Sequence, residues 1–357
     1  MRRHYHSIHC IVPPIVLDQI ARRGTDAQRE WALETMASDH SLRAARIANA
    51  GRIQRGGRRR ADVMSAGGGG QPQRTIRDAE NKENLSGKIV RQEGDGATGD
   101  EAVDEAYDGL GATYTFFCDI FDRDSIDDEA MPLDATVHYG LNYDNAFWDG
   151  QRMVFGDGDG SLFVRFTKSL DVIGHELAHG VTEDEAGLQY FNQSGALNES
   201  MSDVLGSLVK QHHLQQKADD ADWLIGADLL GPDVEGTALR SMKAPGTAYD
   251  DDVLGKDPQP AHMKDFVQTT QDNGGVHINS GIPNHAFYLT AVALGGFAWE
   301  RAGRVWYEAL RDPRLTQSSR FTTFAKATVR QATRLYGDTS EEAGAVKEGW
   351  RSVGVRT

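Results

Sequence analysis

Cysteine is nearly absent: the 357 residues contain two, Cys10 and Cys118. That excludes a disulfide-stapled scaffold and a cysteine-built structural zinc site, and it demands no oxidising compartment. Also missing is any apolar run near the roughly 20 residues that span a bilayer, so no membrane partner is expected. The N-terminus starts basic, but its short apolar stretch is broken by Pro13-Pro14 and no small-residue cleavage site follows. A conventional signal peptide is therefore not expected. There is no internal repeat. What remains is an ordinary globular composition, 39% hydrophobic and 25% charged, in a chain long enough for two domains or one two-lobed one.

Charge is distributed unevenly. Residues 1–77 hold 14 Arg and 6 acidic residues, a net of +8, and the remainder carries −23. A basic arm of this kind either binds nucleic acid or docks on the acidic body of its own chain. The second partner is nearer, so docking is the expectation and no nucleic acid is expected.

The order of patterns divides the chain into 1–74, 75–188 and 189–357. After Pro13-Pro14 a short amphipathic helix ends at Gly24, and Thr25 with Gln28 forms a capping box for a helix reaching Ala50. GRIQRGGRRR and SAGGGGQPQ then lose all periodicity, as a protease-accessible linker does. From Arg74 the chain reads as short strands and turns. Thr98 with Glu101 is the expected cap of a helix whose Val103, Tyr107, Leu110, Tyr114 and Phe117 make an apolar stripe, with Cys118 a core thiol beside it. LDATVHYG and QRMVFGDGDG read as strands; His138 is expected to be structural, and GDGDG a plain turn, because it lacks the spaced ligands of a calcium loop. After the helix FTKSLDVIGHELAHGVT the pattern reads mostly helical to the end. Strands first and helices later predict an α+β fold of two lobes, with that helix between them.

The same helix holds His175-Glu176-Leu177-Ala178-His179. Histidines four apart lie one above the other on a helix, so both rings reach one metal, and Glu176 projects beside them. Glu199 follows 20 residues later and Asp203 one turn beyond. On a second helix packed against the first, Glu199 completes a two-His, one-Glu zinc site with one open position, the arrangement of catalytic zinc. Asp203 then accepts a ligand histidine's other N–H and fixes its tautomer. The rival reading is a peptide- or nucleic-acid-binding protein with structural zinc; such a site needs no general base, and Glu176 is intact.

These motifs, with Asn145-Ala-Phe-Trp-Asp-Gly150, Gly195-Ala-Leu-Asn-Glu-Ser-Met-Ser-Asp203, Leu239-Arg-Ser-Met242 and Asn273-Gly-Gly-Val-His-Ile-Asn-Ser-Gly281, resemble the thermolysin family of zinc metallopeptidases over roughly residues 75–357. Pro13, Pro14 and Leu17 resemble the short propeptide of its protealysin-like branch. The resemblance implies a neutral zinc endopeptidase acting on protein or peptide substrates. It implies His175, His179 and Glu199 as ligands to one catalytic zinc, with Asp203 orienting His175. Glu176 would be the general base, Tyr190 and His277 would stabilise the oxyanion, and Asp272 would orient His277. Asn145, the Ala146 backbone and Arg240 would hold the substrate chain; without the resemblance, Arg240 reads equally as a buried ion-pair partner. Val172, Ile225 and Leu239 would line an apolar pocket, so cleavage is expected on the amino side of Leu, Phe, Ile or Val.

One departure concerns calcium. Of the acidic residues in the family's double calcium site, Asp171 and Asp222 remain, and the other matching positions are Lys210, Leu224 and Ala227. The double site is expected to be lost, with the Lys210 ammonium standing in for a cation, and calcium dependence is open. The N-terminal segment is expected to lie across the cleft as an intramolecular inhibitor, with release by cleavage at 50–75. Either Cys10 or one of His4, His6 and His9 would take the zinc's open position, or Cys10 is a packed thiol. A monomer is expected. Family resemblance points outside the cell, whereas the missing leader points to the cytoplasm or non-classical export.

Overall fold

The computed structural model describes residues 9–53 and 70–357, residues 45–53 by their backbone alone. His4, His6 and most of the expected cleavage linker lie outside the described residues. The N-terminal segment opens with strand β1 (His9–Cys10), then α1 (Pro14–Arg23) and α2 (Asp26–Ile53). Pro14 occupies the first turn of α1, where its missing N–H costs nothing, and Val16, Leu17 and Ile20 are buried. The capping box forms reciprocally: Thr25 N donates to Gln28 Oε1 at 2.9 Å and Gln28 N to Thr25 Oγ1 at 3.3 Å. α2 runs to Ile53, past the end that the loss of periodicity predicts.

The first lobe holds β2 (Arg74–Asp78), β3 (Lys88–Gln92), α3 (Glu101–Phe121), β4 (Leu133–Val137), β5 (Ala146–Trp148) and β6 (Arg152–Phe155). Its sheet has the order β1-β5-β6-β4-β2-β3, with β2, β4 and β6 parallel and the other pairs antiparallel. The N-terminal segment thus supplies one edge strand. The apolar stripe of α3 is buried as its spacing predicts, but its cap is Asp100, which accepts from Ala102 N and Val103 N. Thr98 instead donates to Asp104; Asp100, being the residue immediately before the helix, is at the position from which a side-chain oxygen reaches the free amides. The GDGDG segment closes on itself, Asp159 accepting from the amides of 161, 162 and 163. His138 is structural: it bridges Asp157 at 2.8 Å and Asp100 at 3.1 Å.

The second lobe is helical: α4 (Leu170–Glu185) leads into α5 (Asn192–Leu214), α6 (Asp272–Asn279), α7 (Gly281–Leu294), α8 (Arg304–Leu310), α9 (Phe321–Tyr336) and α10 (Glu341–Ser352). Residues 215–271 depart from the helical expectation, holding only two-residue strands and short 3-10 turns. The reason is local: Asp251 and Asp257 bind nearby amides, and Gly and Pro punctuate the run. α4 and α5 approach closely through paired glycines. A Cβ on Gly206 would lie 2.3 Å from Asp171 O, and one on Gly174 would lie 3.0 Å from the Gly206 Cα. That approach sets the site, because it carries Glu199 and Asp203 to the histidine face of α4.

Candidate active site

On α4, residues 171–182 are all buried, His175 and His179 completely. Each ring's Nδ1 is committed: His175 to Asp203 Oδ1 at 2.8 Å, His179 to Asn198 Oδ1 at 2.7 Å and Ser202 Oγ at 3.0 Å. Asn198 is itself oriented, its Nδ2 donating to Leu188 O. With Nδ1–H donated, both Nε2 atoms carry lone pairs, and they face each other at 3.1 Å. Two lone pairs that close repel unless a cation lies between them. The Glu199 carboxylate closes the triangle, its Oε2 3.5 Å from His175 Nε2 and its Oε1 3.4 Å from His179 Nε2. A tetrahedral zinc with bonds of about 2.0–2.1 Å needs ligand atoms about 3.3–3.4 Å apart, so this donor set fits zinc. Burial, then the neighbouring His175, pushes His179 well below the usual histidine range, which keeps it a neutral ligand.

Glu176 lies in the same cluster. Its Oε2 accepts from Trp148 N at 3.1 Å, and its buried Oε1 has no hydrogen-bond partner among the described residues. Burial, then the Glu199 carboxylate, pushes Glu176 well above the usual carboxylate range, as a group that takes and returns a proton requires. The Tyr190 hydroxyl donates to Glu199 and lies 3.0 Å from His277 Nε2.

His277 is placed by an unusual turn. Asp272, Asn273, Gly274 and Gly275 all have left-handed φ, and a Cβ on Gly274 would lie 2.5 Å from Asn192 Oδ1. The turn folds the Asp272 carboxylate back onto His277, Oδ1 to Nδ1 at 2.6 Å and Oδ2 to the amide at 2.8 Å. Burial opposes the charge on His277, but the Asp272 and Glu199 carboxylates outweigh it and raise its pKa. With acceptors at both nitrogens, the ring is a donor on each side.

Asp203 binds Arg240 (Nε at 3.0 Å, Nη2 at 2.8 Å) and Asn284 Nδ2 at 2.8 Å as well as His175. Burial alone would raise its pKa; Arg240 and His175 hold it well below the usual range. Arg240 is thus a buried ion-pair partner, and its Nη1 also donates to Ile11 O at 3.1 Å.

The cleft is occupied by the N-terminal segment. His9 pairs with Trp148 and Cys10 with Phe147; Ile11 N donates to Ala146 O at 3.1 Å and Val12 N to Asn145 Oδ1 at 3.0 Å. Val172, Ile225 and Leu239 share one buried core with Ile11 and Val12. Pro13 and Ile15 meet Leu239, Arg240, His277 and Ile278 with a gap of about 10 Å³. The zinc-ligand expectation for Cys10 is overturned. Its side chain packs with Tyr139, Tyr143, Phe147 and Val154, with Arg43 Nη2 3.6 Å from the sulfur. Alternation along a strand explains this: with Cys10 turned to that cluster, its neighbour His9 turns the other way. The His9 ring lies 4.3 Å from that of His179 and 4.1 Å from that of Tyr190.

Reasoning from sequence missed Asn198, Ser202 and Asn284 as orienting residues. A lone Asn in the apolar run GIPNHAFYLTAVAL was a usable signal, since a buried amide requires partners. It also missed Asp39 of α2, which is buried against the Tyr143 hydroxyl and Asn145 Nδ2. Lys210 Nζ lies 3.1 Å from Asp171 and 2.9 Å from Asp222, the ion pair that the sequence leads one to expect there.

Residues 62–183 match the catalytic domain of thermolysin metallopeptidases and residues 186–355 their alpha-helical domain. An extracellular metalloprotease of Pectobacterium carotovorum subsp. carotovorum is 53% identical over 97% of this chain and 96% of its own. Protease PrtS of Photorhabdus sp. (strain Az29) is 48% identical over 97% and 92%. The solved precursor of protealysin from Serratia proteamaculans superposes with a TM-score of 0.88 at 54% identity, over 97% of this chain and 99% of that one. These matches set aside the reading as a non-enzymatic zinc protein. With its zinc-fitting donor set and buried glutamate, the chain belongs to the thermolysin family of metallopeptidases and is a metalloendopeptidase.

Proposed function

We propose that this metalloendopeptidase cleaves on the amino side of large apolar residues, with Glu176 as general base, and is made as a zymogen silenced by its own N-terminal segment. The observation that carries the reading is the buried triangle of His175, His179 and Glu199 with Glu176 beside it and a peptide strand already laid across. Bound zinc supplies a Lewis acid and brings the pKa of its water to about 7. Glu176 takes the proton of the attacking water and returns it to the leaving amine. Tyr190 and His277 donate to the oxyanion, and deleting one such donor costs about 2.7–4 kcal/mol of barrier. Asp203 and Asn198 hold the histidine tautomers, and Asp272 orients His277.

Asn145 and Ala146 bind substrate as an added strand, Arg240 holds its carbonyl, and Val172, Ile225 and Leu239 receive the side chain after the scissile bond. Burial of that side chain supplies about 1.5–3 kcal/mol, which gives preference but not strict specificity. Residues 1–74, 75–188 and 189–357 act as inhibitor with linker, first catalytic lobe and helical lobe. Lys210 replaces calcium at the former double site. The extracellular name of the Pectobacterium relative supports secretion. The enzyme acts as a monomer.

Casein hydrolysis by the purified, linker-nicked protein tests the chemistry. Activity that a chelator abolishes and zinc restores, and that drops about 10²–10⁴-fold in Glu176→Gln, is the expected result. A fully active Glu176→Gln enzyme would refute the assigned base.

A further inference from the structure

Four contacts fix how the N-terminal strand lies in the cleft. The Cys10 carbonyl oxygen is 3.1 Å from His277 Nε2, beside the Tyr190 hydroxyl. Ile11 N donates to Ala146 O and Ile11 O accepts from Arg240. Val12 N donates to Asn145 Oδ1. One carbonyl of the strand therefore faces the oxyanion donors, and the next residue is held at both its N–H and its C=O. That next residue is isoleucine, fully buried in the core that contains Val172, Ile225 and Leu239. Glu176 Oε1, buried and without a partner among the described residues, is free to take a proton.

We infer that the Cys10–Ile11 peptide bond occupies the reactive position and that the zymogen hydrolyses it in cis, shedding residues 1–10 while it remains latent. This rests on the peptidase mechanism proposed above. One water is consumed. Its oxygen bonds to the Cys10 carbonyl carbon, the bond to Ile11 N breaks, and both protons of the water pass in turn by way of Glu176 to that nitrogen. The products are a Cys10 carboxylate and an Ile11 ammonium.

The cut does not activate, because the two pieces are held differently. Upstream of the bond, the described anchorage comes from two residues, through the pairing of β1, the packing of Cys10 beside Tyr143 and Phe147, and the His9 ring against His179 and Tyr190. Downstream, Ile11, Val12, Val16, Leu17 and Ile20 are buried. Asp39 binds Tyr143 and Asn145, and Asp144 N donates to Thr35 Oγ1. The half of the cleft beyond the scissile bond thus stays plugged until the linker is cut.

The test follows the full-length, zinc-loaded protein by intact mass, N-terminal sequencing and casein hydrolysis together. A latent species beginning at Ile11, absent in Glu176→Gln and formed at least about tenfold more slowly in Ile11→Ala, is expected. Caseinolytic protein whose N-terminal segment is recovered uncut between Cys10 and Ile11 overturns the inference and leaves the peptidase reading standing. If neither the cut nor casein hydrolysis appears after the linker is nicked, both fall. A cut that persists in Glu176→Gln assigns the cleavage to another protease and also overturns it. A readout independent of catalysis is amide exchange in metal-free Glu176→Gln: the Ile11 and Val12 amides should be protected, and Asn145→Ala should release that of Val12. Free exchange at both in the parent refutes the register.

Discussion

Arg240→Leu should be strongly destabilising, for a reason other than lost substrate contact. Asp203 is fully buried, and Arg240 is the cation bonded to it, through Nε and Nη2. Removing the guanidinium leaves the carboxylate with two neutral-group donors, His175 Nδ1 and Asn284 Nδ2, each at 2.8 Å. Breaking one side of a buried ion pair costs about 3–5 kcal/mol, most of it the stranded charge. If that is the cause, adding Asp203→Asn should recover roughly half of the loss or more, since a neutral amide replaces the charge. The same double variant should still bind metal more weakly, by about 10–100-fold, because His175 loses its carboxylate partner. Urea unfolding in a Glu176→Gln background, which cannot digest itself, measures the stability term, and zinc competition measures the second. A single variant within about 1 kcal/mol of its parent, or a double variant no better than the single, would refute the argument; the first outcome conflicts with the buried-pair cost.

Two further outcomes follow. The Asp157 hydrogen bond raises His138 to about 9, against burial and with help from Asp100. A raised histidine stabilises fully below its unfolded pKa of about 6.5 and loses that stability as pH climbs through about 9. The stability gap between parent and His138→Gln, roughly 1–2 kcal/mol after screening by solvent, should therefore close between those values; a gap independent of pH would refute the pairing. Lys210→Met should lower stability by roughly 1.5–3 kcal/mol through loss of a charged donor to Asp171, whereas the parent should melt alike in calcium and in EGTA. A calcium-dependent melt of the parent would refute the substitution of cation by lysine.

Local chemistry alone disclosed much of this enzyme. The HELAH period, the Glu199–Asp203 spacing, the Thr25–Gln28 box and the apolar stripe of α3 are short-range patterns whose geometry a helix dictates. They were enough to point to the metallopeptidase family and to the cluster of His175, Glu176 and His179 that the fold brings together. The expectation of mostly helix to the end fails over residues 215–271, where Asp side chains capture nearby amides and leave no period to read. The N-cap of α3 went to Asp100 over Thr98 for an equally local reason, a choice between two capping residues two positions apart.

Tertiary structure decided what depends on distant segments meeting. Gly174 and Gly206 become meaningful only when α4 and α5 touch. Asn284 matters only because α7 delivers it to Asp203, 81 positions away. The side to which Cys10 turns, and hence its exclusion from the metal, was set by the register of a two-residue strand, too short to carry any alternation of its own. Sequence determined which groups are candidates for the metal site, because His175, Glu176, His179 and Glu199 sit at spacings that helices bring together. Only the folded chain determined which peptide bond is laid before them, because that contact joins Cys10 to His277 across 267 residues.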